Sequence, residues 1–141
     1  MKRQPKKQIK HLIYTSKPIN FDDLSISNIL KSSQKNNKKD GITGALIFRE
    51  DIFLQFLEGP ENNVDKAFNN IASDKRHKNV LKLKEDITDR KLFTSWAMRG
   101  DPVKSWMWSY EDVDNGIVKK LKPEDAFEVF EKLSREIDQF N

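Results

Sequence analysis

The stretch "DIFLQFLEGP", residues 51–60, reads as a β-strand that is apolar on both faces. Ile52, Leu54 and Phe56 fall on one side at a period of two, and Phe53, Gln55 and Leu57 on the other. A strand apolar on both sides is covered on both sides, so the sheet containing it lies between two layers. Gln55 is the exception in the pattern. Its amide carries two donors and two acceptor lone pairs, and burying it unpaired costs about 1–3 kcal/mol. A polar partner must meet it inside.

Working outward, "GITGALIF" (41–48) precedes this strand across the polar "RED" and makes a hairpin with it. Gly41 and Gly44 suit a tight entry and a close backbone approach. "EGP" ends the strand, with Pro60 near the first turn of a helix whose stripe is Val64, Ala67, Phe68 and Ile71. Upstream, "HLIYTS" (11–16) is a strand with Leu12, Tyr14 and Ser16 on one face. A helix follows from about Phe21, with Asn20 as expected N-cap and the stripe Ile26, Leu30, Ser33 and Asn37. That stripe begins apolar and ends in an amide, so Asn37 points at whatever the helix packs on; Asn36 competes for the role. One of the two asparagines could instead be a helix stop signal. Downstream, "KNVLKLKED" (78–86) and "LFTSWAMRG" (92–100) read as two strands, the second with Thr94, Trp96 and Met98 on one face.

The order β-α-β-β-α-β-β over residues 10–100 predicts an α+β fold of the ferredoxin-like plan, two helices on one face of a mainly antiparallel sheet. From residue 101 the texture changes. "DPVKSWMWSY" is aromatic-rich, with Trp106, Trp108 and Tyr110, and "KPEDAFEVFEKLSREIDQF" is an amphipathic helix. Its seam of Ala126, Phe130, Leu133, Ile137 and Phe140 suits docking on the open sheet face or pairing with a second chain. Residues 10–100 are thus expected to form one domain, and 101–141 a helical extension for output and oligomerisation.

Composition excludes several chemistries. The 141 residues hold no cysteine, which removes disulfides, thiolate metal sites and cysteine nucleophiles. His11 and His77 are too few for a histidine metal cage. No apolar run could span a membrane, and the basic "MKRQPKKQIK" (1–10) leads into no long apolar stretch, so the expectation is a soluble, cytoplasmic protein without membrane contact. A net charge of +4 hints at nucleic acid, but 26 basic residues face 22 acidic ones and both signs are scattered. Solvated surface is the better reading of that charge.

With the helices laid over one sheet face, Tyr14, Gln55 and either Met98 or Trp96 point up at them, and Asn37 arrives from the helix end. Taken one at a time these residues fit a polar core network in which Tyr14 simply bonds Gln55. Together they are more than a core tolerates without a ligand.

"LIYTS", "NNKKDGITGALIF", "IFLQFLEGP", "DKRHKNV" and "FTSWAM", in order and without large gaps over residues 10–100, resemble the motifs of the BLUF family, blue-light sensors that use flavin. The resemblance implies the ferredoxin-like fold with flavin, either FAD or else FMN or riboflavin, held between the two helices. It implies that Tyr14 donates an electron and a proton to the excited flavin, and that Gln55 sits between the Tyr14 hydroxyl and the flavin ring edge. Light would leave the Gln55 amide rearranged, by rotation or tautomerisation, with a new bond to the flavin C4 carbonyl and a red-shifted band. Asn37 and Asn36 would bond the polar ring edge, Asp74, Arg76 and His77 would surround the flavin side chain, and Ser33 would line the site. Trp96 and Met98 match the pair of which at least one approaches Gln55.

Two other readings compete. The RRM fold is also ferredoxin-like and stacks bases on strand aromatics, for which Tyr14, Phe53 and Phe56 are candidates. The glycine-and-aromatic signature of its third strand is missing here, however, and "FLQFLEGP" is too apolar for an open platform. A phosphatase of the acylphosphatase type needs an arginine-bearing anion loop after the first strand, which "TSKPIN" (15–20) lacks. The forty or so residues after the sensor are too few for a catalytic domain, so the expected protein is not an enzyme. Its output would be protein interaction: a homo-oligomer, dimer or larger, and a downstream signalling protein the sequence does not identify.

Overall fold

The computed structural model describes residues 8–94 and 96–139, the last three by backbone alone. Ile137 and Phe140, expected to complete the terminal seam, lie outside what is described of side chains. The elements run β1 (Ile9–Pro18), α1 (Asp23–Asp40), β2 (Thr43–Arg49), β3 (Ile52–Pro60), α2 (Glu61–Ala72), β4 (His77–Thr88) and β5 (Arg99–Pro102). A short α3 (Tyr110–Asp114), a 3-10 turn (Val118–Lys120) and α4 (Pro123–Gln139) follow.

The sheet order is β4-β1-β3-β2-β5. Its first four strands pair antiparallel, and β5 joins β2 in parallel. This is the ferredoxin-like arrangement with a fifth strand at the edge. Central β3 is covered on both sides, as its pattern requires. One face carries Leu12, Tyr14, Leu46, Phe53 and Leu57 against Ile26 of α1 and Val64 and Phe68 of α2. The other carries Ile13, Ala45, Ile47, Leu54 and Phe56 against Ala126, Phe130 and Leu133 of α4. The described part of the α4 seam is therefore spent within the chain.

Phe130 is fully buried, with its ring centroid 5.4 Å from Phe56 and 6.5 Å from Phe93. Phe130→Ala is expected to lower stability by about 3–5 kcal/mol, the cost of truncating a buried aromatic. Denaturant unfolding measures it, and a loss below about 1 kcal/mol, the range of ordinary surface changes, would mean that α4 does not seal this face.

Three expectations change. The α1 N-cap is Asp22, which accepts from the Ser25 N–H at 2.6 Å while Ser25 Oγ accepts from the Asp22 N–H; Asn20 instead takes a left-handed turn at φ 52°. Gly41, at φ 70°, ends the helix, so neither asparagine serves as its stop. The strand expected over 92–100 is reduced to Arg99–Pro102, and the described residues 92–94 and 96–98 belong to an irregular connector. Thr94, Trp96 and Met98 therefore share no strand face. Asp101 lies within β5.

Candidate functional site

A cavity of about 350 Å³ opens between α1 and α2 above the sheet. Its floor is a row of cross-strand neighbours, Leu46 on β2, Gln55 on β3 and Tyr14 on β1. Tyr14 and Gln55 stand directly opposite each other in the register, so one residue of slip in either strand would turn that strand's residue to the α4 side and part the pair.

The Tyr14 hydroxyl donates to Gln55 Oε1. Gln55 Nε2 in turn donates to the Met98 sulfur at 3.2 Å. A thioether only accepts and a phenol held in its neutral form donates, so the two neighbours fix which end of the amide faces which. Burial, and secondarily the charge of Asp74, push the Tyr14 pKa well above its ordinary value, so the phenol keeps its proton in the dark. Its ring packs edge-on against Phe68, centroids 5.6 Å apart.

Met98 rather than Trp96 is thus the neighbour of Gln55. Trp96 does not line the cavity; it is 41% exposed, with the Arg99 guanidinium 5.6 Å from its ring centroid. The connector is held in this arrangement from two elements, β2 and α1. Gly44 N–H donates to the Trp96 carbonyl at 3.1 Å, Asn37 Nδ2 to Ala97 at 2.9 Å, and Gln34 Nε2 to Met98 at 3.0 Å. Asn37 spends one N–H on Ala97 and still lines the cavity, with a second N–H to offer.

Ser33 and Asn36 line the α1 wall, and Asp74, Arg76 and His77 the far end. Arg76 grips Asp74, Nη2 to Oδ2 at 2.6 Å, and this pairing holds the Asp74 carboxyl below the usual carboxylate range. His77 is buried with both nitrogens engaged: Nε2 donates to the Ile71 carbonyl at 2.5 Å and Nδ1 accepts from Ser16 Oγ at 2.6 Å. It presents its ring to the cavity but has no N–H left for a ligand.

Sequence reasoning missed Ser32, Lys39 and Asp40 on α1, and Lys66 and Asn70 on α2, all of which line the same space. Lys66 and Asn70 are four residues apart beside the apolar stripe, a spacing that puts both on one helix edge; that was the available signal. The apolar wall of Ile29, Leu46, Phe53, Ala67 and Ile71 faces amides and hydroxyls across the cavity, with Lys39, Lys66 and Arg76 among its lining. A flat aromatic ring with one polar edge and an anionic tail fits such a lining.

The RNA-binding alternative fails on the same geometry. Tyr14 and Phe53 lie buried under α1 and α2, and Phe56 lies buried under α4. They share no open stacking face. Among the described residues no helix is long and apolar enough to cross a membrane, and no cluster of three metal-ligating side chains occurs.

Residues 9–99 match the family model for BLUF, sensors of blue light using FAD. The chain is 32% identical over 73 residues to the blue light- and temperature-regulated antirepressor of Escherichia coli K12, covering 52% of this chain and 18% of that protein. The curated relatives it matches first are much longer, and it spans 12% to 18% of their length. Among solved structures, dark-state BlrB, a BLUF protein, superposes with a TM-score of 0.78 at 26% identity over 93% of this chain and 98% of that one. A bacterial light-regulated adenylyl cyclase superposes with a TM-score of 0.65 at 35% identity, over 88% of this chain and 36% of the cyclase chain. The chain therefore belongs to the BLUF family, and its residues 9–99 form a flavin-binding domain that senses blue light with FAD.

Proposed function

We propose that this chain is a cytoplasmic photoreceptor, a sensor rather than an enzyme, in which Gln55 is the switch and residues 101–141 carry the output. The observation that carries this reading is the Gln55 amide strung between the Tyr14 hydroxyl and the Met98 sulfur at the cavity floor. Bound flavin supplies the absorption of blue light and, once excited, an acceptor for an electron. Tyr14, kept protonated by burial, is the electron and proton donor. Asn37 and Asn36 hold the polar edge of the ring, and Ser33 leaves room for it. Lys39, Lys66 and Arg76 outnumber Asp40 and Asp74 in the lining, a small positive excess that favours the anionic diphosphate of FAD over uncharged riboflavin.

An amide has two faces of opposite hydrogen-bonding character. Rotation or tautomerisation of Gln55 exchanges the group presented to Tyr14, to Met98 and to the cavity, giving two arrangements that light interconverts. The output runs from Met98 into β5 and on to the extension. A second tie supports this route: on the β2–β3 hairpin that leads into Gln55, Arg49 donates to the Trp108 carbonyl at 2.9 Å and lies 3.9 Å over the Tyr110 ring. With the described α4 seam buried, half-buried Trp106 and Trp108 and exposed Tyr110 are the surface offered to a second copy or to a downstream signalling protein.

The protein purified with FAD is expected to be yellow, to shift its flavin band to the red under blue light, and to return in the dark. Size-exclusion chromatography in light and dark then reads the output. A protein that stays colourless through an FAD titration would overturn the photoreceptor reading.

A further inference from the structure

Glu58 is a carboxylate with no exposed surface, and nothing in the switch just described uses it. It sits on β3 three residues beyond Gln55 and faces the α4 side, between His11 on β1 and Thr43 on β2 in the register. Its oxygens accept from the backbone N–H groups of Leu92, with Oε2 at 3.1 Å, and of Phe93, at 2.9 Å. His11 Nε2 donates to the Arg90 carbonyl at 2.9 Å, so two neighbouring side chains grip one turn of the connector between β4 and β5. The Phe93 ring then packs on Phe56, centroids 5.8 Å apart. Further along the same connector, Met98 brings its sulfur to the Gln55 amide on the cavity side.

We propose that Glu58 is a positioning residue for the light reaction: its carboxylate clamps the Leu92–Phe93 backbone and so fixes the connector that holds the Met98 sulfur against the Gln55 amide. This rests on Gln55 being the switch. The bond from Gln55 to Met98 belongs to the dark arrangement, and a return path in which it is partly re-formed is slower when the sulfur is held loosely. A weak neutral hydrogen bond is worth about 0.5–1 kcal/mol, or a factor of about two to five in rate.

The clamp depends on charge. An ionised carboxylate accepts hydrogen bonds roughly twice as strongly as a neutral acceptor. Burial pushes the Glu58 pKa up to about 7, against the opposing pull of the Phe93 and Leu92 N–H groups and the Lys91 charge. The groups facing it are His11 from β1, with Nε2 3.9 Å away, Lys91 from the connector and the Thr43 hydroxyl from β2. His11 in turn feels Asp86 and Lys84 of β4 and stacks on Phe127 of α4. Burial holds the His11 imidazole below its usual range, so Glu58 is the group in this cluster that titrates near neutrality. As the pH falls through about 7 the clamp weakens and dark recovery slows.

The test is the FAD-loaded full chain against Glu58→Gln, followed by recovery of the flavin band after a blue pulse from pH 5.5 to 8.5. The native chain should show a two- to fivefold step in rate centred near pH 7, slower on the acid side. Glu58→Gln should be slow and flat across the range, with the size of its red shift kept. The red shift itself tests the Gln55 switch separately, so the two ideas fail in different ways. A step that survives in Glu58→Gln, or its absence from the native chain, overturns the proposal. If the variant does not fold, hydrogen exchange in the native chain decides, with or without flavin. After correction for intrinsic exchange, protection of the Leu92 and Phe93 amides should fall as the pH drops through 7, and constant protection would refute the clamp.

Discussion

Gln55→Leu leaves FAD bound and abolishes the light-induced red shift. Leucine is close to glutamine in size, and the cavity keeps its apolar wall and its lining of Asn37, Asn36, Lys66 and Arg76. What disappears is the one group that touches Tyr14, Met98 and the cavity together. The Tyr14 hydroxyl loses its acceptor in a buried setting, so stability should also fall by about 1–3 kcal/mol. Absorbance difference spectra at saturating FAD read the first effect and thermal unfolding the second. A full-sized, reversible red shift in this variant would remove Gln55 from the centre of the account.

Tyr14→Phe produces the second large effect, loss of the stable lit state. The phenylalanine ring keeps the edge contacts to Phe68 and His77, so the floor of the cavity holds its shape. It has no proton to donate and no hydroxyl to lock the Gln55 oxygen, so the amide is free to settle in either arrangement in the dark. Flash photolysis should find no long-lived red-shifted species, with FAD affinity within a few-fold of the native chain. A native yield of lit state would show that the electron and proton come from elsewhere. The two variants differ in a useful way: Gln55→Leu removes the element that switches, Tyr14→Phe the group that drives it.

Much of this site was legible in the sequence because strand alternation is rigid. A period of two put Gln55 on the same side as Phe53 and Leu57, and Tyr14 on the same side as Leu12, and the antiparallel pairing brought the two polar residues face to face. The choice between Trp96 and Met98 was not legible. Extending the alternation through residues 92–98 assumed a strand, whereas that segment is shaped by side chains distant in sequence: Glu58 on Leu92 and Phe93, Asn37 on Ala97 and Gln34 on Met98. Such side-chain-to-backbone bonds leave no periodic trace. Asn20 misled for a related reason, since an asparagine in a left-handed turn and an N-cap have the same sequence signature. His77 was implied by the family resemblance alone, and the bonds with Ser16 and the Ile71 carbonyl that draw it inside have no periodic signature either.

The switch itself is best tested by light-minus-dark infrared difference spectroscopy on the FAD-bound chain labelled with nitrogen-15 in its glutamine side chains. Rearrangement of Gln55 predicts difference bands that move with the label and vanish in Gln55→Leu. A red-shifted lit state with no label-sensitive band would contradict the account, because the flavin would then have changed its surroundings while the amide stood still.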